Sequence, residues 1–289
     1  MLAFVAGCGS DATGDPDWMA PLAGTRSLAA LSIPGTHDSG AIHEPAPGIA
    51  KTQTLTFAQQ LDAGVRFFDV RCRNFRDQFL IYHGAIDQDQ TFDDVVATMY
   101  AFLDAHPGET IIASIKEENE AYGATLTFEQ VFANYLAAAP ARWYLGATVP
   151  TLAEARGKLV LLRRFESTAP PLGIAAAPSV WTDNATFAIT GVDARLQVED
   201  EYVVTSNDAK WSAITNLVGV AKQDASDTVF LTFTSGYQLV DGAPNIPNVA
   251  TDIDQRFDAL SVQATPQHLG IIVNDFMTPE RARAIAETN

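Results

Sequence analysis

Two ionisable residues, His37 and Asp38, lie side by side in segment 33–41, which is rich in glycine, proline and serine. This segment follows an apolar run at 28–33, so it indicates a loop after a strand. Loops at the carboxyl ends of barrel strands often carry catalytic groups, and imidazole suits proton transfer near neutral pH. A lone His-Asp pair in a loop is more often structural, so its interpretation depends on partners elsewhere.

A second charged pair, Asp69 and Arg71, ends the apolar segment 65–71. Strand side chains alternate between faces, so the two residues lie on the same face of a predicted strand. A guanidinium oriented by a carboxylate is suited to binding an anion. A buried structural ion pair is the alternative interpretation.

Two further candidates follow apolar runs. His83 follows the run 79–82 and makes a pair of acid and base with His37 conceivable, while Asp275 follows the run 269–273. A closed barrel brings its last strand beside its first, and therefore Asp275 beside His37. A carboxylate in that position fixes the imidazole tautomer and stabilises the protonated ring.

Short apolar runs rich in β-branched residues predict strands buried on both faces. Helical periodicity in residues 92–103 and 128–136 predicts the helices that cover them. Capping patterns predict helix starts after threonines 91, 127, 151 and 278. The predicted strands are 28–33, 65–70, 79–82, 110–115, 158–162, 229–233 and 269–273.

This alternation predicts an α/β fold, a distorted TIM (β/α)8-type barrel in a single domain at 18–289, with an irregular region at 167–222. The chain has 289 residues, 47% hydrophobic and 18% charged, which suits one large globular domain. Its 18 Lys and Arg against 35 Asp and Glu give a net charge of −17, which argues against nucleic-acid binding. An anionic substrate must therefore be held by a few local cations.

The first eight residues are apolar and end in Val-Ala-Gly-Cys, which resembles the lipobox of bacterial lipoprotein signals. Cleavage leaves Cys8 for lipidation, and residues 9–17 then form a flexible spacer. We therefore predict an exported protein that is lipid-anchored at the bacterial cell surface or secreted. An incidental cysteine in a flexible terminus is the alternative. With Cys8 lipidated, Cys72 has no disulfide partner and is predicted to be a small core residue.

Five motifs in order resemble the X domain of bacterial phosphatidylinositol-specific phospholipase C of the metal-independent type. The resemblance covers nearly the whole chain after residue 17. It implies a distorted TIM barrel that cleaves phosphatidylinositol by attack of the inositol 2-hydroxyl on phosphorus, giving diacylglycerol and inositol 1,2-cyclic phosphate. The motifs are Ile-Pro-Gly-Thr-His-Asp-Ser-Gly at 33–40, Phe-Asp-Val-Arg at 68–71, Tyr-His-Gly at 82–84, Ser-Ile-Lys-Glu-Glu at 114–118 and Asn-Asp-Phe at 274–276.

The resemblance also implies catalytic roles. His37 is the general base with Asp275 as its orienting partner, and His83, aided by Asp38, is the general acid. Arg71 binds the phosphate and stabilises the transition state. In-line phosphoryl transfer needs a base and an acid on opposite sides of phosphorus and a cation where charge develops, so the chemistry agrees.

The inositol-binding residues implied by the resemblance are Lys116, Arg163, Asp200 and Tyr202. Charged bidentate partners and an aromatic ring are suited to a hydroxyl-rich ring. Arg164 competes with Arg163 for its place.

Metal dependence is predicted from two positions. Calcium-dependent relatives need several oxygen ligands near the phosphate, with asparagine after the first histidine and an acidic residue in place of Arg71. Here Asp38 follows His37, and Asp69 aligns Arg71. We predict no metal and no other cofactor, with activity that resists chelators.

The predicted partner is phosphatidylinositol in a membrane surface that a monomer contacts peripherally, and no nucleic acid. Tyr237, Leu239 and Val240 are candidates for membrane contact at the barrel rim, with inward packing as the alternative. One competing hypothesis is a metal-dependent barrel phosphodiesterase, of glycerophosphodiester phosphodiesterase or sphingomyelinase D-like type. Another is an inactive lipid- or polyol-binding surface protein.

Overall fold

The computed structural model describes residues 14–191, 193–261 and 266–289, so Cys8 lies outside the described residues. The strands are β1 (Ile33–Thr36), β2 (Phe67–Phe75), β3 (Gln78–His83), β4 (Ile86–Thr91), β5 (Ile111–Glu117), β6 (Trp143–Tyr144), β7 (Leu159–Arg164), β8 (Ile174–Ala175), β9 (Ala185–Thr190), β10 (Arg195–Asp200), β11 (Thr228–Phe233), β12 (Gln238–Val240), β13 (Ala243–Asn245) and β14 (Ile271–Asn274). The helices are α1 (Phe57–Asp62), α2 (Phe92–Ala105), α3 (Phe128–Ala138), α4 (Leu152–Ala155), α5 (Asn207–Ala221), α6 (Ile246–Ser261) and α7 (Pro279–Ala286).

The parallel strands of the barrel stand in the order β7, β5, β2, β1, β14, β11 and β10. The last strand, β14, pairs directly with the first, β1, as predicted, with Thr36 opposite Asn274. In the described part of the chain no ladder joins β9 to β8 or β6, so the barrel is open on that side. The fold is therefore a distorted α/β barrel of TIM type, as the sequence predicts.

Two apolar layers enclose the sheet, because alternate side chains of each parallel strand face opposite ways. Phe67 and Ile112 belong to the cluster inside the barrel, whereas Phe68 and Ala113 belong to the cluster under the helices. The predicted helix starts are confirmed. Side chains of threonines 91, 127 and 278 accept hydrogen bonds from the first turns of α2, α3 and α7, and the N–H of Thr151 donates to Glu154 in α4.

Two strand predictions need correction. Residues Leu28–Ala30 form a short 3₁₀ helix capped by Ser27, and the side chains of Leu28 and Ala29 join the inner cluster, so an apolar run alone does not specify a strand. Strand β3 exists but pairs antiparallel to β2. Arg76 and Asp77 both have positive φ, which closes a two-residue hairpin, and so short a connection cannot return the chain for parallel pairing.

The first described residues lie across the amino ends of the parallel strands. The buried guanidinium of Arg66, just before β2, donates to the carbonyl of Pro16, and Trp18 donates to the carbonyl of Gly64. Pro16, which we assigned to the spacer, therefore already contacts the barrel. No helix in the described ranges combines the length and apolar character needed to cross a bilayer.

Candidate active site

A cleft of about 330 Å³ opens at the carboxyl ends of the parallel strands. Asp38 and Asp69 lie beneath it with no exposed surface, and the other predicted catalytic residues reach the cleft itself. The predicted residues that line it are His37, Arg71, His83, Lys116, Asp200, Tyr202 and Asp275.

His37 has a defined orientation and tautomer. Its Nδ1 lies 2.8 Å from Asp275 Oδ1, and its Nε2 lies 2.7 Å from the Arg71 guanidinium. A carboxylate can only accept and a guanidinium can only donate, so Nδ1 carries the proton and the lone pair of Nε2 accepts from Arg71 at the edge of the cleft. The predicted contact between His37 and Asp275 is therefore present.

Arg71 lies at the centre of a group of carboxylates. Its Nε donates to Asp69 over 3.0 Å, while its Nη1 is 3.4 Å from Asp38 and 3.7 Å from Glu118. Burial opposes the charge of the guanidinium, but these carboxylates outweigh it and raise the pKa of Arg71 well above its ordinary value. Arg71 is thus a permanent cation that faces the cleft.

Asp69 joins two arginines. Its second oxygen accepts from Arg164 over 3.0 Å. Burial favours the neutral acid, yet Arg71 and Arg164 together lower the pKa of Asp69 below its ordinary range. Asp69 therefore stays ionised and fixes both guanidinium groups.

His83 lies opposite His37, with ring centres 6.4 Å apart. Its Nδ1 donates to the carbonyl of Ala50 over 2.6 Å, and its Nε2 is 3.7 Å from Asp38. Burial raises the pKa of Asp38, although Arg71 and His83 offset part of that effect. Neither carboxylate oxygen of Asp38 has a hydrogen-bond partner among the described residues.

On β7 the structure places Arg164 at the cleft, and not the predicted Arg163. Arg163 donates to the carbonyls of Leu172 and Phe165 and does not line the cleft, whereas Arg164 does. Strand register is the cause, because Arg71, Lys116 and Arg164 lie in one row across β2, β5 and β7. Parallel strands in register direct such a row to one face, here the inner one.

Lys116 lies in that row between the two arginines and forms an ion pair with Glu118 over 2.5 Å. Burial and the charge of Arg71 lower the pKa of Lys116. Burial opposes the charge of Glu118, but Arg71 and Lys116 lower the pKa of Glu118 to about 2. A second oxygen of Glu118 accepts from the N–H of Gly84, which ties this pair to the His83 turn.

The far wall of the cleft comes from the irregular region. Trp181 donates to Asp200 over 3.0 Å, and its ring lies 3.7 Å from the Arg164 guanidinium. The hydroxyl of Tyr202 donates to Asp183 over 2.8 Å, and burial together with Asp183 raises the pKa of Tyr202 to about 12. Trp181 and Asp183 were missed, because they follow no periodic pattern and belong to no motif.

A hairpin of β12 and β13 borders the cleft. Tyr237 lines the cleft, whereas Leu239 and Val240 are 62% and 43% exposed. The inward packing that we held as the alternative is therefore wrong for Leu239 and Val240. Asp241 and Gly242, both with positive φ, form the tight turn that projects these two side chains.

Comparisons with known proteins all identify relatives that cleave phosphatidylinositol. A model of the phosphatidylinositol-specific phospholipase C X domain matches residues 31–165. The chain is 35% identical over 233 residues to a 1-phosphatidylinositol phosphodiesterase of Staphylococcus aureus, covering 76% of this chain and 74% of the relative. A protein of that name from Listeria monocytogenes is 28% identical over 281 residues, which is 94% of this chain and 84% of the relative.

Solved structures agree. A variant of the phosphatidylinositol-specific phospholipase C from Staphylococcus aureus superposes with a TM-score of 0.86 at 29% identity, covering 96% of this chain and 97% of that one. The enzyme from Listeria monocytogenes has a TM-score of 0.75 at 25% identity, covering 96% and 99%.

Fold and site define an enzyme of the α/β-barrel phosphodiesterase class. More narrowly, the chain belongs to the phosphatidylinositol-specific phospholipase C family, the group that the sequence motifs resemble. This family membership favours a phosphatidylinositol-specific phospholipase C over a metal-dependent barrel phosphodiesterase or an inactive lipid- or polyol-binding protein.

Proposed function

We propose that the protein cleaves phosphatidylinositol by attack of the inositol 2-hydroxyl on phosphorus, with release of diacylglycerol and inositol 1,2-cyclic phosphate. The new bond joins the 2-oxygen to phosphorus, and the bond to the glycerol oxygen breaks. One observation carries the proposal. Two histidines face each other across the cleft, each beside a carboxylate, and Arg71 contacts His37 and lies 3.4 Å from Asp38.

His37 is the general base. Its Nε2 is unprotonated in the resting tautomer and accepts from Arg71; when substrate displaces that contact, Nε2 takes the proton of the 2-hydroxyl. Asp275, held 2.8 Å from Nδ1, stabilises the imidazolium that forms.

His83 is the general acid. Because Nδ1 donates to the Ala50 carbonyl, only Nε2 is free to protonate the glycerol oxygen. The buried Asp38 beside Nε2 favours the charged ring.

Arg71 binds the phosphate. Its contact with His37 Nε2 holds the base ready, and substrate binding exchanges that contact for a phosphate oxygen. A guanidinium already aligned by Asp69 stabilises developing charge without reorganisation.

The inositol ring is held by a group that differs from our first prediction by one residue. We assign this role to Lys116, Arg164, Asp200 and Tyr202, with Trp181 supporting Arg164 and Asp200.

Arg71 also makes a metal unnecessary. No three His, Cys, Asp or Glu side chains converge as metal ligands within the described ranges. We expect turnover in excess EDTA to stay within about twofold of turnover without it, because a guanidinium supplies the charge that a metal supplies elsewhere. Loss of turnover in EDTA with rescue by calcium would contradict this.

The β12–β13 hairpin contacts the membrane as a monomer approaches its substrate. Leu239 and Val240 are its exposed apolar side chains. Leu239→Asp should weaken binding to vesicles and lower turnover of vesicle substrate, with turnover of a soluble short-chain substrate unchanged. An equal loss on both substrates would show a defect in the cleft instead.

Export and anchoring at Cys8 complete the proposal. The first described residues pack at the amino ends of the strands, on the side of the barrel opposite the cleft. Palmitate labelling of the wild type, absent in Cys8→Ser, tests the anchoring.

The catalytic assignment is tested with His37→Ala and His83→Ala. Each should lower turnover of phosphatidylinositol vesicles at least about 10³-fold, because each removes a proton-transfer group. His43→Ala is the control, since His43 is half exposed and does not line the cleft. Unchanged turnover in His37→Ala would overturn the proposal.

The leaving group distinguishes base from acid. An inositol phosphodiester of p-nitrophenol needs little protonation on departure, so His83→Ala should lose far less activity on it than on the lipid. His37→Ala should lose the same factor on both substrates. If instead His37→Ala lost far less activity on the p-nitrophenol substrate than on the lipid, His37 would be the acid and His83 the base.

A further inference from the structure

Thr52 and Gln53 lie in the segment between β1 and α1, and both are fully buried. The amide nitrogen of Gln53 donates to the carbonyls of His37 and Asn274, each over 2.9 Å. Its amide oxygen accepts from the N–H of Met277 over 3.2 Å. One side chain therefore joins the turn that carries His37 to the turn that carries Asp275.

Thr52 joins the same two turns by other atoms. Its hydroxyl donates to the carbonyl of Asp38 over 2.9 Å, and its carbonyl accepts from the N–H of Phe276 over 2.6 Å. Asp38 and Phe276 have φ of 40° and 45°, a region that side-chain-bearing residues seldom adopt. Such a conformation persists when surrounding contacts hold it, and Thr52 supplies one contact to each.

These bonds lie just beyond the last paired residues of β1 and β14, the two strands that lead into the turns. The ladder between β1 and β14 ends with Thr36 opposite Asn274, and one further bond joins the His37 N–H to the Asn274 carbonyl. Beyond that point Thr52 and Gln53 are bonded to both turns, whereas Asp69 is bonded to the His37 turn and Arg281 to the Asp275 turn.

We propose that Gln53, supported by Thr52, is a positioning residue for the base: it holds the turns of His37 and Asp275 at the separation that their 2.8 Å contact requires. This inference rests on the proposed role of His37. Proton transfer depends steeply on such geometry, since a misplacement of about 1 Å costs about 10²-fold in rate. Neither residue belongs to the five motifs, and neither touches the cleft.

Gln53→Met tests the proposal, because methionine nearly matches glutamine in volume but makes none of the three hydrogen bonds. We expect kcat for phosphatidylinositol to fall about tenfold to a hundredfold, with KM changed less than about threefold. In proton NMR, the low-field resonance of the His37 Nδ1 proton should shift or broaden.

Gln88→Met is the matched control. Gln88 is also buried, and its amide oxygen accepts from the N–H of His43 in the same segment, but it contacts neither turn. We expect this variant to lose thermal stability while kcat and the low-field resonance stay at wild-type values.

Retained kcat and an unchanged resonance in Gln53→Met would overturn the proposal, as would equal losses of kcat in both variants. If Gln53→Met does not fold, Gln53→Glu carries the test. It keeps the acceptor for Met277 and lacks the donors at neutral pH, so kcat should fall in the same way, and a wild-type kcat would overturn the proposal. Failure of the proposed function appears separately, as full activity in His37→Ala.

Discussion

Arg66, just before strand β2, and Arg71, within it, lie towards opposite ends of the barrel, and the two arginines differ in what their donors contact. At the amino end, Arg66 donates to Glu109 and to the carbonyls of Leu61, Val65 and Pro16. At the carboxyl end, Arg71 contacts Asp69 and His37, and its Nη1 only approaches carboxylates at 3.4 and 3.7 Å. An arginine whose three nitrogens all donate hydrogen bonds to the protein, as in Arg66, stabilises the fold, whereas one with a nitrogen left facing a cleft can bind substrate.

Within this comparison, the largest expected effect comes from replacing each of the two arginines by lysine, which cannot reproduce the planar fork. Arg71→Lys should lower kcat about 10²- to 10³-fold with little change in stability, because it removes an oriented donor to the transition state. Arg66→Lys should lower the free energy of unfolding by about 2–4 kcal/mol and leave kcat of the folded fraction unchanged. Vesicle turnover and urea unfolding measure the two quantities.

The opposite outcome, with Arg66→Lys losing turnover per folded molecule and Arg71→Lys losing stability alone, would break the comparison.

Two neighbouring arginines on β7 show the same difference between an arginine that faces the cleft and one that does not. Arg164 binds Asp69 and faces the cleft, while Arg163 donates to two backbone carbonyls. Arg164→Lys should lower kcat/KM about tenfold, the value of one charged hydrogen bond, and Arg163→Lys should leave it within about twofold. Steady-state kinetics on phosphatidylinositol measures kcat/KM for both variants. A larger loss in Arg163→Lys than in Arg164→Lys would restore the prediction that Arg163 binds the inositol ring.

The smallest expected effect is on the pH dependence of stability, and it concerns Asp254, a partner of Arg281. Arg281 donates to Asp254, to Asp258 and to the carbonyl of Phe276. Burial, with the charges of Asp275 and Asp258, raises the pKa of Asp254 to about 7 although Arg281 opposes the shift. The folded protein therefore keeps a proton that the unfolded chain releases above about pH 4, so stability falls as the pH rises from about 4 to 7.

Asp254→Asn removes this titration. Between about pH 5 and pH 8 the variant should gain stability relative to the wild type, on the order of 1 kcal/mol after allowance for partial exposure. Urea unfolding at both pH values measures the gain, and a constant difference would show that Asp254 does not titrate in this range.

The sequence predicts the cluster around His37 and Arg71 better than it predicts the far wall of the cleft. Alternation along β2 places Asp69 and Arg71 together, and adjacency of the first and last strands places Asp275 beside His37. Both results follow from local period and barrel topology.

Three features do not follow from local pattern. The choice between Arg163 and Arg164 depends on the register of β7 against β5, which a single strand does not reveal. Trp181 comes from an irregular region without periodicity. The antiparallel direction of β3 depends on positive φ at Arg76 and Asp77, two residues that do not signal it.

The central claim is that His37, His83 and the Arg71 guanidinium cyclise the inositol phosphate without a metal. Phosphorus NMR of phosphatidylinositol vesicles turned over in excess EDTA tests it most directly. We predict that the lipid signal is replaced by that of inositol 1,2-cyclic phosphate in the wild type, and far more slowly in Arg71→Lys. Direct appearance of inositol 1-phosphate with no cyclic species, or turnover only after calcium is added, would contradict the account.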